Sequence, residues 1–106
     1  MAISTRNSTT TALAANSEFC GLWDNVSGFI SVFVSVDSSN SNNKLLLEHS
    51  MDTQIIDYVD EYNNVDSSFN SKVFLKSKFF RLRLINNDST DQSFLVVTSK
   101  YYKNIS

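Results

Sequence analysis

"KFFRLRLINNDSTDQSFLVVTSKYY", residues 78–102, decides the fold. In its first run Phe80, Leu82 and Leu84 alternate with Arg81 and Arg83, a period of two that gives one apolar and one charged face. A helix would wind the arginines onto the same side as the leucines; an extended strand separates them. After the polar stretch "NNDSTD" (86–91) comes a second run, "QSFLVVTSKYY" (92–102), rich in β-branched and aromatic residues whose stiff side chains suit a pleated surface. The same alternation appears upstream in "GFISVFVSV" (28–36), where Ile30, Val32, Val34 and Val36 form the apolar set. Shorter runs of strand character lie at 18–23, 44–50, 54–59 and 72–76. Seven short strands at this spacing predict an all-β chain, a sandwich or a barrel. The predicted breaks are "DSSNSNN" (37–43), "DEYNNVDSSFNS" (60–71) and "NNDSTD". With two glycines and no proline, the turns must use Asn, Asp and Ser, which tolerate left-handed backbone and bond to it locally.

The chain has 106 residues, the size of one domain. Residues 1–17 are Ser, Thr, Asn and Ala without periodicity and read as a flexible or docking N-terminal arm; residues 18–103 read as the β-domain. The "ALA" at 12–14 lacks the apolar run a secretory signal requires, so export by that route is not expected. No stretch approaches the roughly 20 apolar residues needed to span a bilayer. One cysteine permits no internal disulfide, and a net charge of −2 argues against a nucleic-acid partner. Sequons at Asn7, Asn25, Asn87 and Asn104 are expected to be compositional, in a chain this rich in Asn and Ser.

Residues able to carry chemistry are sparse. His49, the single histidine, reads as a strand-end residue near the surface; its neighbour Ser50 points to the opposite face and cannot pair with it catalytically. Cys20, beside Phe19, reads as a small core residue. Asp52, Asp57, Asp60, Glu61 and Asp66 form an acidic segment, but without the D-x-[DN]-x-[DN]-G spacing of a calcium loop. No catalytic, cofactor or metal residue is assigned, and the chain is not expected to be an enzyme.

Charge and misplaced aromatics are more informative. Lys72, Lys76, Lys78, Arg81 and Arg83 follow the acidic segment with no acid among them. The two segments either pair within one subunit or set the register between copies. If the valines of 28–36 face inward, Phe29 and Phe33 face outward, and Phe79 shares the side of Arg81 and Arg83. Phe29, Phe33, Phe79, Arg81 and Arg83 are therefore the candidate interface residues. In the alternative reading, a carbohydrate- or receptor-binding β-sandwich for a host-surface glycan, Trp23, Tyr58, Tyr62 and Tyr101 supply stacking platforms.

The strand sequence resembles a module of structural proteins in tailed phages and large DNA viruses. The likeness lies in Trp23 before a Val-Ser-Gly turn (26–28), an E-x-S-x-D corner (Glu48, Ser50, Asp52), "FFRLRLIN" (79–86), and Gln92 with Phe94 ahead of the last strand. It implies a jelly-roll-like antiparallel β-sandwich of about 7–8 strands, acting as a minor capsid, decoration, tail or fibre component of the virion. Its partners would be itself, as a homo-oligomer, and other virion proteins. In that setting Trp23 would cap the core, Arg81 would bond Asp57 or Glu48, and the arm would reach a neighbour. The chain departs from the module in standing alone and in having lost most turn glycines.

Overall fold

A computed structural model describes residues 2–103; Asn104 lies outside them. They form nine strands in two antiparallel sheets: β1 (Ala2–Thr9), β2 (Glu18–Cys20), β3 (Asp24–Asn25), β4 (Ser31–Ser38), β5 (Asn43–Ser50), β6 (Tyr58–Val65), β7 (Phe69–Phe74), β8 (Phe79–Asn86) and β9 (Leu95–Tyr102). One sheet runs β1-β9-β4-β7 and the other β2-β8-β5-β6, with β3 beside β8. Counting β2 and β3 as one interrupted strand, this is the eight-strand jelly roll, with no helix among the described residues.

The alternation read from sequence builds the interior. Val32, Val34 and Val36 of β4 and Leu95 and Val97 of β9 face Leu45 and Leu47 of β5 and Phe80, Leu82 and Leu84 of β8; all are at most 1% exposed. Each such side chain contributes on the order of 1.5–3 kcal/mol by leaving water. Ile30 falls outside the set. It precedes β4, so the strand's alternation does not reach it, and it is exposed.

Polar groups close this core in two places, one end and the edge where β1 faces β2 and β3. At one, the buried Gln92 amide donates to Asn43 Oδ1 (2.8 Å) and accepts from the Leu13 N–H (2.9 Å). Asn86, also buried, donates to the carbonyls of Leu13, Ala14 and Thr90. At the other, Asn7 enters from β1 where the register with β9 shifts. Between β2 and β3 the chain leaves the ladder beside β8, and the Leu82 N–H turns instead to Asn7 Oδ1 at 2.7 Å. Asn7 also donates to the Leu22 carbonyl and to Asp24, and its own carbonyl accepts from the Ser99 hydroxyl. Gly21 makes room for it: a Cβ there would meet Asn7 Oδ1 at 2.0 Å. Asp24, in turn, accepts from the hydroxyls of Ser4 and Tyr101. Burial, reinforced by that bond, pushes the Tyr101 hydroxyl well above its ordinary pKa.

Three expectations change here. The expected arm is in part an edge strand of the chain's own sheet, since β1 pairs with β9 (Ile3↔Lys100, Ser4↔Ser99) and residues 13–17 bond to the β8–β9 connection. Residues 54–57 are a loop, and much of the expected break at 60–71 is strand, β6 and β7 joined by a tight turn. Cys20 is exposed, because Phe19 takes the inward position of a three-residue strand. Asn7 is wholly buried and so closed to glycosylation. The left-handed positions among the described residues are Asn16, Thr53 and Ser68 in connections and Asn64 where the β5–β6 register shifts, and neither glycine is among them.

Removing residues 2–9 is expected to abolish cooperative folding, because it strips one edge of a sheet and the Asn7 junction together. Asn7→Ala alone should cost about 2–4 kcal/mol in urea unfolding, since it orphans the buried Leu82 N–H. A truncated chain that still unfolds cooperatively at an unchanged midpoint would contradict this account.

Candidate interaction surface

The outer face of the second sheet carries the FFRLRLIN arginines, and their partners lie within the chain. Arg81 is paired with Glu48 across the β5–β8 register, Nε to Oε1 at 2.6 Å. Arg83 donates to the other Glu48 oxygen at 3.3 Å and grips Glu18 with two nitrogens at 2.9 and 3.2 Å. The Arg83 bond holds the Glu18 carboxyl below its usual range, and Glu18 raises the Arg83 guanidinium in return. Glu48 is 2% exposed beneath these cations, so the cluster is a clasp on the sheet. The Trp23 ring lies 4.4 Å from the Arg81 guanidinium carbon; it stacks on this clasp rather than capping the core. Lys76 pairs with Asp60 at 2.9 Å, so the acidic and basic segments meet within one subunit, and Glu61 pairs with Lys44 of β5 at 3.6 Å.

His49 lies in the interior, correcting the surface reading. Asn43, Leu45, Leu47 and His49 share the core face of β5, and His49 is fully buried between the rings of Tyr58 and Phe80. The Lys76 N–H donates to Nδ1 at 3.3 Å, which leaves the proton on Nε2, 3.0 Å from Asp60 Oδ2. Burial lowers the His49 pKa; the Asp60 bond opposes that shift and the Lys76 ammonium adds to it.

The interface candidates do not share one surface. Phe29 is turned inward against Tyr101, ring centroids 5.4 Å apart, because the Val26–Phe29 turn precedes β4 and breaks its alternation. Phe33 is half-buried on the outer face of the first sheet, flanked by Lys72 and Lys100. Phe79, Arg81 and Arg83 lie on the opposite side of the molecule, on the outer face of the second sheet. The stacking candidates are scattered as well. Tyr101 is interior, Tyr62 packs on Phe69 and bonds Ser71, Trp23 is engaged with Arg81, and Tyr58 stands exposed at one end of the sandwich.

That end holds what the sequence reading missed. The β5–β6 loop, residues 51–57, is pinned by its own polar groups. The Ser50 hydroxyl accepts from the Asp52 and Thr53 N–H groups, and Asp52 accepts from Gln54 and Ile55, which lowers its pKa. Asp57 accepts from the Met51 N–H at 2.8 Å and donates its own N–H to the His49 carbonyl. Built this way, the loop presents Met51 (71% exposed), Ile55 (64%) and Ile56 to solvent. Phe74 (60% exposed) and Ile30 stand at the same end, where Ser31 pairs with both Phe74 and Tyr102. A small depression of about 140 Å³ opens here, lined by Ser31, Lys72, Val73 and Phe74. Reading "QIIDYV" (54–59) as strand hides this; Ser50, Asp52 and Asp57 at loop-capping spacing are the available signal.

No family model and no curated protein matches the chain. Solved structures that share its architecture include the following two. PBSX exported protein XepA aligns with a TM-score of 0.73 at 18% identity, over 92% of this chain and 36% of that one, so this chain spans about a third of XepA's length. The Yersinia pseudotuberculosis-derived mitogen aligns with a TM-score of 0.59 at 13% identity, over 93% of this chain and 87% of the mitogen. At such identities the shared property is the fold.

The buried imidazole sets a pH dependence. Its folded pKa lies below the ordinary 6.5, so the unfolded chain takes up the proton first as pH falls. The stability this provides is complete above about pH 6.5 and is lost as pH drops towards the lowered native value. Urea midpoints should therefore fall between about pH 7 and pH 5, and His49→Gln should flatten that segment of the profile while lowering the plateau. An unchanged slope in the variant would remove His49 from the effect.

Proposed function

We propose that the chain is a structural module of a phage- or virion-related particle, working by shape and docking rather than by catalysis. The observation that carries this reading is the rigid apolar end. Met51, Ile55 and Ile56 are held in water by a loop whose backbone is already bonded, and Phe74 stands beside them at the end of β7, so docking them costs little ordering entropy. The ionisable groups that chemistry would recruit are spent on internal joints: His49 on Asp60 and Lys76, Glu48 on two arginines. The jelly-roll architecture shared with XepA supports a phage-related setting, with this chain corresponding to one part of a larger protein of that kind. The glycan-binding alternative loses Tyr101 to the interior and finds its other aromatics on separate surfaces.

The test is mass spectrometry of purified particles from the source that encodes the chain, with its amount compared with that in the cleared supernatant. The chain should co-purify with particles at fixed stoichiometry. A double variant Ile55→Asp, Ile56→Asp, folded by circular dichroism, should lower occupancy on the order of tenfold or more, the loss expected from removing two apolar anchors. Recovery only in the supernatant would sink the proposal.

A further inference from the structure

The two ends of the sandwich differ in character. The connections at the apolar end, 26–30, 51–57 and 75–78 with Lys103 beyond β9, carry Lys78 and Lys103, besides Lys76, whose charge is met by Asp60. Their two acids, Asp52 and Asp57, are turned onto the loop's own backbone N–H groups. The connections at the opposite end, 10–17, 39–42, 66–68 and 87–94, contain Asp66 and Asp88, besides Asp91, which accepts from the Ala15 N–H, and neither lysine nor arginine. Asp37, near the end of β4, adds a further acid beside the 66–68 turn, where it accepts from Ser67. Phe94 and Val96 stand exposed among these acids at 47% and 42%. The molecule thus presents apolar side chains with lysines at one end, and apolar side chains with aspartates at the other.

We propose that the apolar, lysine-bearing end of one copy receives the aspartate-bearing end of the next, so that the chain self-associates head to tail. The proposal rests on the assembly reading above and adds the partner's identity. Each end carries both the apolar anchor and the charge that its opposite lacks, and like ends would place lysine against lysine or aspartate against aspartate. A contact between two different patches does not use itself up in a dimer: every added copy leaves one head and one tail open. The product is a linear stack, its repeat set by the sandwich's long dimension of 38 Å or less.

Sedimentation velocity on the full chain, from micromolar to millimolar and at low and high salt, tests this. Expected is an average mass that keeps rising with concentration instead of levelling at a dimer, and that falls as salt screens the charges. Ile55→Asp spoils the head and Asp88→Lys the tail, with Met51→Asp and Asp66→Lys as second variants should either of the first pair unfold. Each variant alone should be a monomer, its association weakened on the order of tenfold or more. Mixed, the two variants should form a one-to-one heterodimer that grows no further, since one sound head meets one sound tail. Monomer at every concentration, a plateau at dimer, no heterodimer on mixing, or binding to lipid vesicles without self-association would each overturn the proposal. A chain that stays monomeric yet is found in purified particles defeats the stacking and spares the particle reading; a stacking chain absent from particles does the reverse.

Discussion

The constraint that governs this sandwich is the gap in the ladder beside β8. Where the chain steps from β2 to β3 it still bonds the Leu82 carbonyl through the Gly21 N–H but offers nothing to the Leu82 N–H, and an unpaired N–H at that depth would cost on the order of 1–3 kcal/mol. Asn7 closes the gap from the other sheet, so one side chain does what a strand would otherwise do. In the same place it joins β1, β8 and the Asp24 cluster, and Gly21 is small because Asn7 stands against it. The two layers are therefore locked by polar contacts as well as pressed together by apolar ones. No buried side-chain nitrogen or oxygen among the described residues is left without a partner.

The same economy explains the placement of charge. Buried ions cost several kcal/mol each unless paired, and Glu48 sits under two guanidinium groups while Asp60 serves both His49 and Lys76. These clusters tie neighbouring strands and link the β7–β8 connection to β5. The exposed large apolar side chains Met51, Ile55 and Phe74 stand apart from these joints, at one end of the sandwich.

Much of this was legible in the residues. Strands β4 and β8 announce themselves by alternation, and β5 and β9 by apolar or β-branched runs; all four are central in their sheets and bury one face. The edge strands β1, β6 and β7 were harder, for one reason: an edge strand has a single partner, so Ser, Thr and Asn can occupy it without penalty and no period appears. Residues 2–9 consequently looked like an arm, and 60–71 like a long break. His49 reads as a surface strand end because the three consecutive leucines of "KLLLEHS" leave the register open and the residue is polar; the burial of Leu45 and Leu47 puts His49 inside. Arg81 with Glu48 was within reach from sequence, whereas the internal use of Arg83 by Glu18 needed the three-dimensional register of β2.

The pairing of β1 with β9 has a bearing on biogenesis. The first strand finds its hydrogen-bonding neighbour in the last, so during synthesis residues 2–9 must wait, unzipped, until Tyr102 has cleared the ribosome's exit tunnel. Until that moment the nascent polypeptide offers bare sheet borders to chaperones and to siblings on the same messenger.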